Sequence, residues 1–85
     1  MREYVLDPGE FIPWHRHTQV SDRFYGLEGT TLVQTRDERF ELRPGDSALV
    51  GAGTAHHVSN GVPGQPCRFL LVQGVGKYDF LKEDA

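Results

Sequence analysis

The chain has 85 residues, of which 38% are hydrophobic and 25% charged, and its formal net charge is −3. Domains commonly run to about 100–200 residues, so this length predicts a single domain over residues 1–85. The composition is that of a globular protein and argues against a disordered chain. Acidic and basic residues are interspersed, which disfavours nucleic acid as a partner, because nucleic-acid binding needs a basic face.

The one cysteine, Cys67, excludes an intramolecular disulfide and is expected to be a small packing residue in a strand. Small proteins of oxidising compartments more often carry several disulfides. The opening segment MREYVLDPGE has acids where a signal peptide needs an apolar core, and no apolar run is long enough to span a membrane. These features predict a cytoplasmic protein with no membrane partner.

Short stretches rich in β-forming residues, separated by glycines and prolines, fill most of the chain. They cover residues 2–6, 10–15, 22–28, 30–35, 39–43, 47–50, 56–60 and 67–75. Within 39–43 apolar and polar residues alternate, which is typical of a half-buried strand. Many short strands of this kind predict an all-β fold closed into a sandwich or barrel. The tail from Lys77 to Ala85 is predicted to form one short helical turn or to fray.

Two of the connections have readable turn chemistry. Pro44 and Gly45 stand at the central positions of RPGD (43–46), as a type II turn requires, because proline fixes φ and glycine accepts a positive φ. The segment TRDER (35–39) predicts a tight hairpin connection.

Two histidines one residue apart are the first candidate for chemistry. His15 and His17 lie in a predicted strand, so their side chains point to the same side, about 7 Å apart. Such a pair alone is more often two solvated surface residues. The remaining histidines fall together at His56 and His57, and Asp22 begins the strand after the pair. Two or three histidines with one carboxylate suit a divalent ion of iron, manganese, zinc, nickel or copper.

The spacing of these residues resembles the two sequence motifs of the cupin family. The matching positions are Gly9, His15, His17, Asp22 and Gly29 for the first motif and Gly45, Gly53, His56 and Asn60 for the second. Asp22 stands where the family has a glutamate, and Gly51 stands where it has a proline.

This resemblance implies a jelly-roll β-barrel, a double-stranded β-helix, that holds one divalent metal ion in its interior. It implies that His15, His17 and His56 are metal ligands. Asp22 is one methylene shorter than glutamate, so it is either the fourth ligand or bonded to the metal through water. Asp22 is also the candidate catalytic residue, because a carboxylate there is able to move a proton.

Strand alternation extends the predicted site. Phe24 and Gly26 share the face of Asp22 and are expected to line the cavity, with Gly26 leaving space beside the metal. Phe11 shares the face of the first two histidines and is expected to pack the barrel floor or line the pocket. His57 is expected to face away. On the opposite side, Trp14, Tyr25 and Leu27 predict an apolar surface and a homodimer.

Two functions remain open, because a fold does not determine an activity. Cupins include isomerases, lyases, cyclases and dioxygenases, so the resemblance favours a metal-dependent enzyme acting on a small organic or sugar-derived substrate. The alternative is a metal-bearing module that binds or senses a small ligand without turnover. The sequence offers three further polar residues as acid–base candidates and favours none of them: Gln34, Gln73 and Tyr25.

Overall fold

In the computed structural model, residues 1–74, 76 and 79–82 are described, and over these residues the protein is all-β. Nine strands follow one another within this part of the chain. They are β1 (Arg2–Leu6), β2 (Phe11–Arg16), β3 (Asp22–Glu28), β4 (Thr31–Thr35), β5 (Arg39–Leu42), β6 (Ser47–Val50), β7 (His56–Asn60), β8 (Cys67–Gln73) and β9 (Leu81–Lys82).

The strands form two antiparallel sheets. The first sheet has the order β1-β8-β3-β6, and the second has the order β5-β4-β7-β2-β9. Sequence neighbours therefore lie in different sheets at several points, as in β2 to β3, which places successive strands on opposite walls of a barrel. Inward-facing residues of both sheets form one core, which includes the tilted ring pair Phe24 and Phe69 at 5.7 Å between centroids.

The predicted strands agree with the observed ones to within two residues at each end, and the predicted turn at residues 43–46 is confirmed. Gly45 has a φ of 93°, and the Asp46 amide donates to the Arg43 carbonyl at 2.9 Å. The predicted helical turn in the tail is wrong for the residues described there. Leu81 and Lys82 form β9 instead, because they pair with the edge of β2. Val75, Lys77, Tyr78 and residues 83–85 lie outside the described part.

Within the described residues the structure contains no helix of the length and apolarity that crossing a membrane requires.

Candidate metal centre

Four side chains converge at one end of the barrel interior. One donor atom from each of His15, His17, Asp22 and His56 lies within 4.8 Å of the other three, and all four residues are buried. Asp22 Oδ2 lies 3.1 Å from His17 Nε2 and 3.0 Å from His56 Nε2. Metal–nitrogen and metal–oxygen bonds of about 2.0–2.2 Å place ligand atoms at separations of this size around one ion.

The strand arrangement brings these residues together from three strands. His15 lies directly opposite His56 in the β2–β7 ladder, and His17 follows the end of β2 on the same face. Asp22 begins β3, in the other sheet, and faces them across the interior. The predicted grouping of the four residues is therefore what the fold produces.

Hydrogen bonds fix the orientation of the three rings. His15 Nδ1 donates to the Pro13 carbonyl at 2.7 Å, and His56 Nδ1 donates to the Thr54 carbonyl at 2.9 Å. His17 Nδ1 donates to the Asp79 carbonyl. Because a carbonyl oxygen only accepts, Nδ1 carries the proton in each ring, and Nε2 is the nitrogen turned towards the other three side chains. Metal-binding histidines are held in this way by the ring nitrogen that does not bind the metal.

The donor set fits a cation. In a neutral ring with the proton on Nδ1, Nε2 presents a lone pair, and the Asp22 carboxylate also presents lone pairs. Contacts of 3.0 and 3.1 Å between such atoms are repulsive unless positive charge lies between them. Two extra protons would meet this need only by burying two imidazolium ions, which is costly in a closed interior. One divalent metal ion meets it with all three histidines neutral.

The electrostatics of the cluster favour the metal-binding protonation states. Burial, with smaller contributions from the neighbouring His56 and His17, lowers the pKa of His15 from 6.5 to about 4. For Asp22, burial raises the pKa, but the contacts with His56, Gln73 and His17 outweigh this effect, so the pKa lies below 3.8. A neutral imidazole and an ionised carboxylate are the forms that bind metal.

A small cavity of about 50 Å³ adjoins the cluster. Apart from the cluster, its walls are mostly apolar and come from both sheets and from the tail. They consist of Tyr4, Ile12, Phe24, Val58, Leu71, Gln73 and Phe80. A water molecule needs about 10–15 Å³ on this measure, so the cavity has room for a few water-sized groups.

Two pocket residues predicted from strand alternation are wrong. Phe11 is 58% exposed and stacks on His57 outside the cavity, because β2 carries an irregularity between Ile12 and His15 that reverses which side chains face inward. Gly26 is buried, but a Cβ there would collide with the Arg43 carbonyl oxygen. Gly26 therefore leaves room for the turn at residues 43–46, at the opposite end of β3 from Asp22. Phe24 does line the cavity, as predicted.

The cavity also contains residues that the sequence did not point to. Ile12 takes the place predicted for Phe11, and Phe80 covers the cavity from the segment that leads into β9. The period-two pattern gave no sign of the irregularity in β2, and the tail had no strand pattern long enough to recognise. Gln73 also lies at the cluster, where its Nε2 donates to Asp22 Oδ1 at 3.0 Å. The sequence offered it as an acid–base candidate and gave no sign of this contact.

Other residues lie where the sequence predicted. His57 is outside the cluster, with its ring between those of Phe11 and Trp14. Cys67 is 2% exposed and belongs to the core. A wider depression of about 520 Å³ lies on the outer surface beside Arg16, Arg36 and residues 53–55, and none of the four cluster residues lines it.

Comparison with known proteins supports the fold and identifies the family. The family model described as the cupin domain matches residues 2–73. A curated but uncharacterised protein of Methanocaldococcus jannaschii is 28% identical over 60 residues, which are 71% of this chain and 48% of the relative. The chain therefore spans about half the length of that relative.

Two solved structures are similar over most of the chain. The protein TT1209 of Thermus thermophilus has a TM-score of 0.77 and 34% identity over 84% of this chain and 67% of its own. The polyketide cyclase RemF of Streptomyces resistomycificus has a TM-score of 0.81 and 28% identity over 98% of this chain and 58% of its own.

Proposed function

The chain belongs to the cupin family, and on that premise we propose that it binds one divalent metal ion and acts as a metal-dependent enzyme on a small organic or sugar-derived substrate. The observation that carries the proposal is the convergence of three buried histidine rings and one carboxylate, whose candidate ligand atoms lie within 4.8 Å of one another. His15, His17, His56 and Asp22 would hold the metal. The reaction is of the isomerase, lyase, cyclase or dioxygenase type.

A metal ion held here would supply Lewis acidity towards an oxygen atom of a bound substrate. The protein's own contribution is orientation and exclusion of water. Carbonyl groups of three backbone positions fix the histidine rings, and Gln73 fixes the Asp22 carboxylate. Among the described residues, Tyr4 and Gln73 are the polar side chains that line the cavity in addition to the cluster. Tyr4 is therefore the group that we assign to hydrogen bonding or proton transfer with a substrate.

The similarity to RemF supports an enzymatic role, since that protein is a polyketide cyclase. One observation favours the second candidate function, a metal-bearing module that binds or senses a small ligand. The cavity is only about 50 Å³ and offers few polar groups beyond the metal-binding set, whereas ligand pockets commonly measure about 300–1,000 Å³.

Metal analysis after equilibrium dialysis tests the proposal. The metal-free protein is dialysed separately against iron(II), manganese, cobalt, nickel, copper and zinc, and we expect one ion per chain for at least one of them. His57→Ala is the matched control, because this histidine neighbours His56 but faces away from the cluster. Absence of stoichiometric binding for every metal would refute the metal centre.

Turnover separates the two candidate functions. Each metal-loaded form is incubated with a panel of small hydroxycarbonyl compounds, and conversion is followed by proton NMR together with oxygen uptake. Conversion that disappears in His15→Ala supports the enzyme. Binding of a panel compound to the metal-loaded protein without conversion supports the binding module.

A further inference from the structure

The ring of Phe80 lies directly over two of the cluster histidines. It stacks on His15 with 4.2 Å between centroids and an angle of 11°, and it meets His17 edge-on at 6.1 Å. The same ring lines the cavity, yet 40% of the residue is exposed. The other residues that line the cavity are buried or half-buried. One face of the ring therefore closes the cavity while the other meets solvent.

The segment that carries Phe80 lies at the edge of the second sheet. We call residues 79–82 the C-terminal strap. Over the residues described there, strand β9 pairs with β2 at two positions, Lys82 opposite His15 and Leu81 opposite Arg16, and it lies at the edge of its sheet. Both strand residues are exposed. Elements with little buried apolar surface and exposed backbone hydrogen bonds open locally at low free-energy cost.

Asp79 fastens the strap and connects it to the cluster. Its carboxylate accepts hydrogen bonds from the Thr18 amide, at 2.8 Å, and from the Thr18 hydroxyl. Its backbone carbonyl accepts the hydrogen bond from His17 Nδ1. When the strap is docked, it therefore covers the cavity and orients one cluster histidine at the same time.

The size of the covered cavity limits what reaches the cluster. An engineered dry cavity that binds benzene measures about 150 Å³. The cavity beneath Phe80 is about 50 Å³. A ring-sized ligand therefore does not fit beside the cluster while Phe80 stays in place.

We infer that Phe80 is a gate residue, and that movement of the C-terminal strap determines which molecules reach the cluster. With the strap docked, the site admits water-sized molecules. With Phe80 displaced, it admits ring-sized ones. The limit on substrate size rests on the proposed function, whereas the covering of the histidines by Phe80 does not.

The covering is tested in the metal-free protein by chemical modification of histidine. Diethyl pyrocarbonate is applied at neutral pH, and the modification rate of each histidine is followed by peptide mass spectrometry. Minor open states are commonly populated at about 0.1–10%, so Phe80→Ala should raise the rate at His15 by at least about tenfold. Phe80→Trp, which keeps an aromatic ring over the site, should react like the parent.

Phe11→Ala is the matched control, because Phe11 stacks on His57 outside the cavity as Phe80 stacks on His15. It should raise the rate at His57 and leave His15 unchanged, the reverse of Phe80→Ala. Circular dichroism confirms that each variant keeps its β structure. Equal rates at His15 in the parent and in a folded Phe80→Ala variant overturn the inference, whatever metal the protein binds.

The limit on ligand size is tested in cobalt-loaded protein, with azide and imidazole as probes that differ in size. Binding is followed by the visible absorption of the cobalt ion. Phe80→Ala should tighten imidazole binding by at least about tenfold and change azide binding by less than about threefold. An unchanged ratio of the two affinities overturns the limit. Failure of cobalt to bind refutes the metal centre alone, because the modification experiment needs no metal.

Discussion

Gln73 holds the Asp22 carboxylate by the oxygen that does not face the histidines. Gln73 Nε2 donates to Asp22 Oδ1 at 3.0 Å, while Oδ2 faces His17 and His56. The two residues lie opposite one another in the ladder between β3 and β8. The amide therefore fixes the direction of the carboxylate's second oxygen, which is the one that belongs to the cluster.

Gln73→Leu should weaken metal binding by about 10–100-fold, as the loss of an outer hydrogen-bond partner typically does. The measurement is competition against a chelator of known affinity. Gln34→Leu is the control, since Gln34 lies on β4 and does not line the cavity. Equal affinities for the parent and Gln73→Leu would mean that the hydrogen bond does not orient the carboxylate.

Removal of any one cluster histidine should leave the protein nearly free of metal. His15→Ala, His17→Ala and His56→Ala each remove a nitrogen donor from the group that converges within 4.8 Å. Metal content after equilibrium dialysis is the measurement, and His57→Ala should keep the parental content. Should the three variants hold metal as tightly as the parent, the histidines are not ligands.

Asp22→Asn distinguishes a carboxylate that binds the metal from one that acts through water. The side chain keeps its size and loses its charge. Because Oδ2 lies within the cluster, we expect direct binding and a loss of affinity greater than the roughly 100-fold upper range for an outer partner. Asp46→Asn, in the turn beside β6, is the control. A loss below about tenfold would place Asp22 outside the metal's own ligands.

The stability of the metal-free protein should fall as the pH falls from about 6.5 towards 4. Folding lowers the pKa of His15 to about 4, so within this range the unfolded chain binds more protons than the folded one. Stability then decreases with decreasing pH. Burial also lowers the pKa of His57, which acts in the same direction.

Urea unfolding at several pH values, with a chelator present, measures this dependence. His15→Leu should flatten it, because the titrating group is gone. A His15→Leu variant with the parental pH dependence would show that the buried imidazole is not its source.

The structure narrows the surface through which the predicted homodimer would form. Trp14 lies on the outer side of the second sheet beside His57, so it does not share a face with Tyr25. Tyr25 and Leu49 are 37% and 52% exposed, and both lie on the outer face of the first sheet. Association through this face would remove exposed apolar surface from water.

We expect a dimer in sedimentation at micromolar concentration, and a monomer for the double variant Tyr25→Glu with Leu49→Glu. Val62→Glu is the control, because Val62 has similar exposure but lies in a loop. A monomeric parent protein would exclude the dimer.

The strands and the candidate ligands could be predicted from the sequence because both depend on local spacing. Alternation predicts strands, and the interval from His15 to His17 places two side chains on one face whatever the rest of the fold does. The position of Asp22 opposite them followed from the motif resemblance and required β3 to lie in the other sheet.

The residues that cover and line the cavity are positioned by contacts between distant parts of the chain. Asp79 reaches Thr18 and His17 across more than 60 residues, and Phe80 depends on that docking. Ile12 depends on an extra residue in β2 that no local pattern marks. Such contacts leave no periodic signal, so the sequence predicted the four residues of the cluster and missed what covers them.

The irregularity in β2 changes which alternate residues of the strand face the interior. Ile12 and His15 pair with Val58 and His56, which are two residues apart on β7, although they are themselves three residues apart. Deletion of Pro13 would leave Ile12 and His15 two residues apart, so simple alternation would keep both side chains facing inward. A homologue with a two-residue interval here would therefore need no irregularity to bring the same side chains together. In this chain the three-residue interval from Ile12 to His15 thus requires the irregularity for both side chains to face the interior.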